Sequence, residues 1–199
     1  MQDPLEDRSS EELARGAQGG SRACFGELVA RHERALRAFL FQRTRSHEDA
    51  EELAQESFLR AWSKIGTYSD AWRFSTWLFA LARRVAATRH RDADRRAVPH
   101  RDADDETVEQ LGVDVDPGER LDAHEAHTRI WELAARVLTE EQRSALWLRY
   151  AEDQSIEEIA GVLGRRPVAV RALLFRARET LAGHLAPRPS GLTRPSPSP

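Results

Sequence analysis

Ser155-Ile156-Glu157-Glu158-Ile159-Ala160-Gly161-Val162-Leu163-Gly164-Arg165-Arg166-Pro167 is the stretch that decides the fold. Ser155 followed three residues later by Glu158 forms a capping box, which starts a helix. Ile156, Ile159, Ala160 and Leu163 then recur at the spacing of one helical face. Ala160 is small enough for a second helix to cross closely. Gly164 permits the left-handed backbone that reverses the chain. Pro167 opens the next helix, where Val170, Leu173 and Leu174 are spaced for packing. Arg171, Arg176 and Arg178 stay available on that helix. A short helix, a tight turn and a basic helix form the scaffold that lays a recognition helix in the DNA major groove. Residues 165–178 hold five Arg and no acid, so nothing within the segment offsets the charge. A solvated helical hairpin is the plain alternative, but solvated faces usually mix both signs.

Outward from this motif, the whole chain reads as helix. Upstream, Thr139 with Gln142 forms a second capping box, for a helix reaching about Ala151. Asp116-Pro117 marks the start of the helix before it. Ser9 with Glu12 caps a first short helix, and Ser21 caps a second that runs to about Thr44. Ser46 caps a third that ends near Gly66, and a fourth runs from Phe74 to about Arg96. On it Trp77, Leu78, Leu81, Ala82 and Val85 face inward. The expected class is all-α, with two small helical domains joined by an acidic flexible linker, the second containing the helix-turn-helix. The expected boundaries are an N-terminal extension at 1–20, domains at 21–96 and 118–186, the linker at 97–117, and a proline-rich disordered tail at 187–199.

The formal net charge of −3 hides a strong pattern. Residues 83–96 carry +4, residues 97–125 carry −8, and residues 165–178 carry +5. Two basic segments therefore flank an acidic one. No apolar run approaches the roughly 20 residues of a membrane helix, so no membrane insertion is expected. The polar, acidic start lacks the pattern of a signal peptide. Cys24 is the single cysteine, which excludes an intrachain disulfide and a cysteine-rich zinc site. A cytoplasmic location follows. His124 and His127 beside Glu125 lack zinc-helix spacing and an evident third ligand, so neither a metal nor a cofactor is expected.

Two further stretches suggest contact surfaces. Residues 48–56 place five acids near one helix start, more than the helix dipole requires, which suits a docking face for a basic partner. Trp72 and Arg73 fall outside the apolar stripe of the fourth helix and lead into Arg83, Arg84, Arg89 and Arg91. Aromatics beside arginines suit unstacked bases and their phosphates.

The run Asp49-Ala50-Glu51-Glu52-Leu53-Ala54-Gln55-Glu56-Ser57-Phe58-Leu59-Arg60-Ala61-Trp62 resembles the polymerase-docking helix of bacterial sigma factors. Residues 74–83 look like their promoter-melting helix, and residues 138–164 like their C-terminal domain. With only those two domains, the layout is similar to the extracytoplasmic-function (ECF) class. The resemblance implies an alternative sigma factor that binds core RNA polymerase, through its β′ clamp and β flap, and starts transcription at chosen promoters. Asp49, Glu52, Gln55 and Glu56 would meet the clamp. The loop 67–73, with Trp72 and Arg73, would hold a base flipped from the minus-ten element, and Arg83, Arg84, Arg89 and Arg91 would follow its backbone. Arg165, Arg166, Arg171 and Arg176 would serve the minus-thirty-five element. An anti-sigma factor completes the implied partners, and no enzymatic activity is implied. The recognition helix departs from the family pattern: Val168-Ala169-Val170-Arg171-Ala172-Leu173 stands where Gly-Thr-Val-Lys-Ser-Arg is usual. The rival function is a helix-turn-helix regulator that binds operator DNA without polymerase; it leaves the acidic helix unexplained.

Overall fold

The computed structural model describes residues 4–96 and 121–185. Among these residues eight α-helices follow one another: α1 (Ser10–Gln18), α2 (Arg22–Thr44), α3 (His47–Lys64), α4 (Phe74–Arg96), α5 (Leu121–Val137), α6 (Glu140–Tyr150), α7 (Ile156–Leu163) and α8 (Pro167–Leu185). Single 3-10 turns at Leu5–Asp7 and Ile65–Thr67 precede α1 and follow α3. No strand occurs among the described residues. The linker at 97–117, the start at Pro117 and the tail at 187–199 lie outside them, as do the side chains of Arg91, His124, Glu125 and His127.

Local chemistry sets the helix ends. Each of the three capping boxes closes in both directions; at α7 the Ser155 N–H donates to Glu158 Oε2 at 2.8 Å and Glu158 N–H to Ser155 Oγ at 3.2 Å. Ser21 and Ser46 accept from Cys24 and Asp49 in the same way. Gly164 ends α7 in the left-handed region, at φ 62°. Arg45 takes that conformation, at φ 61°, to end α2 without a glycine.

The N-terminal stretch packs into the first unit. Leu13, Ala14 and Ala17 of α1 are buried against α2. Arg31 of α2 donates to the carbonyls of Leu5, Glu6 and Arg8, fastening the segment ahead of α1.

The two units share one apolar cluster. Phe39 (α2) and Phe79 (α4) meet Trp147 (α6) in it, with ring centroids 6.2 and 6.0 Å apart. Phe79 lies off the α4 stripe read from the sequence. It is fully buried because α4 carries a second inward face, Thr76, Phe79 and Arg83, turned toward the second unit. A helix sandwiched between two layers buries two stripes, and a search for one apolar stripe finds only the nearer core.

Candidate nucleic-acid interface

The acidic face of α3 is open. Asp49, Glu52 and Gln55 are exposed, and Glu56 pairs with Arg60 at 2.6 Å. Leu59, 73% exposed, continues the line through Glu52 and Gln55 by helical spacing. Sequence reading passed over it because it belongs neither to the buried stripe nor to the charged run. Glu52 also forms an ion pair with Arg89 of α4, whose charge faces Asp49 and Glu56 as well. One residue assigned to polymerase and one assigned to DNA are thus partners here.

The loop between α3 and α4 is held tightly. The Tyr68 side chain is buried, its hydroxyl donates to Trp72 O at 3.0 Å, and its ring packs edge-on against Phe74 and Trp77. Burial, with the nearby Glu11 and Asp70 carboxylates, pushes the phenol up to about 12, so it stays a donor throughout the neutral range. Trp72 remains 46% exposed. Three α1 side chains reach this loop. Gln18 Nε2 donates to Ile65 O at 3.1 Å and Tyr68 O at 2.9 Å. Arg15 pairs with Asp70 at 3.1 Å. Glu11 Oε1 accepts from the Phe74 N–H at 3.1 Å.

The second unit sits on the other end of the loop and on α4. Arg73 lies 3.4 Å from Glu158 Oε1 and donates to Asp153 O at 3.4 Å. Thr76 Oγ1 donates to the same Glu158 oxygen at 3.2 Å. Glu158 therefore closes its capping box with one oxygen and ties the two units together with the other. Burial pushes its carboxyl up. The Ser155 hydrogen bonds, Arg73 and Thr76 outweigh that effect and hold it below the usual carboxylate range. Arg83 is half-buried under the turn: its guanidinium occupies the space a side chain at Gly164 would fill, 2.8 Å from such a Cβ. At the far edge, Arg143 donates twice to Gln42 O, at 3.1 and 2.9 Å, and Arg43 meets Glu140 at 2.5 Å. Of the minus-ten candidates, Trp72, Arg73, Arg84 and Arg89 are exposed; Arg73 and the half-buried Arg83 also contact the second unit.

The α8 face is open. Arg165, Arg166, Arg171 and Arg176 are all exposed, as are Val168 at 73% and Phe175 at 58%. Two of these arginines have acidic neighbours from outside their own segment. Arg165 pairs with Glu141 of α6 at 2.5 Å, and Arg171 lies 3.5 Å from Glu157 of α7. Both acids lie outside residues 165–178, so a count within that segment missed them. Among the described residues, no cluster of His, Cys, Asp or Glu is arranged to hold a metal ion, and no helix is long and apolar enough to cross a membrane.

Comparison with known proteins matches this arrangement. Residues 28–96 match the family described as Sigma-70 region 2, and residues 129–181 match Sigma-70, region 4. The chain is 29% identical over 184 residues to the ECF RNA polymerase sigma factor BldN of Streptomyces coelicolor, covering 86% of this chain but 64% of that protein. It is 30% identical over 187 residues to the ECF RNA polymerase sigma-E factor of Haemophilus influenzae, covering 92% of this chain and 98% of that one. Among solved structures, the sigma factor RpoE in complex with the anti-sigma factor NepR from Bartonella quintana superposes with a TM-score of 0.59 at 25% identity, over 81% of this chain and 96% of that one. Region 2 with its acidic helix, region 4 with its helix-turn-helix, and near full-length similarity to the sigma-E factor together place the chain in the extracytoplasmic-function class of RNA polymerase sigma factors.

Proposed function

We propose that the protein binds core RNA polymerase in the cytoplasm and directs initiation at promoters with matching minus-ten and minus-thirty-five elements. One observation carries this function: an exposed acidic helix face and an aromatic-basic loop share one unit, with a helix-turn-helix folded against it. Asp49, Glu52, Gln55 and Glu56 dock the β′ clamp, with Leu59 adding apolar contact. Docking competes with Arg89 for Glu52 and so frees that arginine for DNA. Trp72 and Arg73 meet the unstacked minus-ten base, while Arg83, Arg84, Arg89 and Arg91 follow the backbone. Arg165, Arg166, Arg171 and Arg176 attract the upstream phosphates, and exposed Val168 offers apolar contact to thymine methyl groups. No step requires chemistry by the chain itself. An operator-binding regulator is not favoured, because it gives the α3 face no role.

The units must part to do this. The two elements lie about 25 base pairs apart, about 85 Å at about 3.4 Å per pair. A compact body of this size has a radius of gyration near 15 Å. The packed arrangement is therefore a closed form, which an anti-sigma factor that grips both units would hold closed; the structural relative RpoE was solved in complex with the anti-sigma factor NepR.

Reconstitution tests the function directly. Core polymerase plus this protein should initiate from members of a promoter library randomised across both elements. Failure to bind core would sink the proposal. Asp49→Lys with Glu52→Lys should abolish co-purification with core while leaving the melting temperature unchanged. Arg171→Ala should lower promoter binding and reduce the salt dependence by about one phosphate contact.

A further inference from the structure

We propose that α1 is the positioning element of the minus-ten loop, acting through one face, Glu11, Arg15 and Gln18, that need not touch DNA. The inference rests on the proposed role of that loop in holding a flipped base.

Those residues stand at i, i+4 and i+7, so they share one helical face. Each grips a different part of the loop. Gln18 holds its start by donating to the Ile65 and Tyr68 carbonyls. Arg15 holds its middle through Asp70. Glu11 holds its end by accepting the first amide of α4. That amide is one of the unpaired donors of any helix start. Arg73, the residue before α4, is not a capping type, so α1 supplies from 63 positions away the acceptor that a local Ser or Asp normally provides.

The clamp is itself anchored. Leu13, Ala14 and Ala17 bury the adjacent face of α1 on the first unit, and Arg31 fixes the chain ahead of it. Gly16 allows this close approach, since a Cβ there would stand 2.6 Å from Cys24 Sγ. Within the loop, Tyr68 O–H to Trp72 O and Trp72 N–H to Ser69 O complete the shape. Ser69, Ala71 and Trp72 are left exposed. With the backbone fixed at three points, the surface around Trp72 has a preset shape, and selectivity for the inserted base depends on that shape.

Two readouts separate this inference from the function it rests on. Amide hydrogen exchange of the free protein reports the clamp without DNA or polymerase. Gln18→Met removes both donors and keeps the side-chain length; it should raise exchange at the Tyr68 and Trp72 amides roughly tenfold while α3 and mid-α4 amides hold their protection. Arg15→Ala, a surface change that leaves the fold intact, should raise exchange around Asp70 less, and Arg15→Lys should restore it. Unchanged loop exchange in both Gln18→Met and Arg15→Ala would overturn the clamp, whatever transcription shows. Transcription with core polymerase then compares all four bases at each minus-ten position. Gln18→Met should cut discrimination at one position roughly tenfold, with core binding and minus-thirty-five preference unchanged. A uniform loss at every position that tracks a lower melting temperature would reduce α1 to ordinary scaffold and overturn the inference. A wild-type protein that initiates nowhere would refute the proposed function while leaving the exchange result to stand.

Discussion

The two units differ in how far their basic residues meet the neighbouring unit. In the first, Arg73 and Arg83 are engaged by the second unit, while Trp72 and Arg84 stay exposed and Arg89 has an exposed partner in Glu52. In the second, α8 stays uncovered; its arginines have at most exposed partners at its edge, Glu141 and Glu157, and Val168 and Phe175 face solvent. Exposed ion pairs are worth little and exchange readily with phosphate. Contact between the units therefore engages Arg73 and Arg83 of the proposed minus-ten surface and leaves the proposed upstream surface on α8 uncovered. Glu158, from the helix-turn-helix itself, supplies the acid that meets Arg73 and Thr76.

The strongest way to break this contrast is at the seam. Trp147→Ala removes the ring that meets Phe39 and Phe79, and it should lower stability by about 3–5 kcal/mol. Small-angle scattering should then show a larger radius of gyration, with the units parted. An unchanged radius would mean that the polar contacts alone keep the protein closed. Glu158→Ala comes next. It opens the α7 capping box and frees Arg73 and Thr76, at a cost of about 2 kcal/mol by thermal melting, and it should raise non-specific affinity for single-stranded DNA. No gain in affinity would show that Glu158 does not cover the minus-ten surface.

A pH effect sharpens the same contrast. Burial pushes the Glu152 carboxyl, in the turn before α7, up to about 7. A raised folded-state value adds stability that is full below the unfolded value, near 4.5, and is lost as pH rises through 7. Melting temperature should fall between pH 5 and pH 8, with Glu152 contributing on the order of 1–3 kcal/mol. Glu152→Gln should flatten that slope. Glu158, held low, acts in the opposite sense, and its contribution is lost only as pH falls below the ordinary carboxylate range. The smallest effect is expected at α8: Arg165→Ala should change stability by less than about 0.5 kcal/mol, because its pair with Glu141 is exposed, yet lower promoter binding.

Particular residues show how far the sequence could be read. The capping boxes at Ser9, Thr139 and Ser155 fixed three helix starts, because donor and acceptor lie three residues apart. The stripe Leu78, Leu81, Ala82 and Val85 was legible for the same reason. Phe79 was not, since its partner Trp147 belongs to the other unit. The first helix was legible as a helix but not as a clamp: Gln18 meets Tyr68 from 50 positions away, and nothing local marks a glutamine as a donor to a distant loop. Nor did the charge count in residues 165–178 reveal Glu141 and Glu157.

By itself the sequence determined the helices, the starts marked by capping boxes, the acidic and basic faces and the family, because each is written in spacings of a few residues or in ordered motifs. Only the tertiary structure decided that the two units share a core, that α1 shapes the loop before α4, and that Glu158 serves both as a cap and as a tie between units. Those outcomes depend on side chains that meet across 50 to 100 positions, where packing rather than local propensity selects the partner.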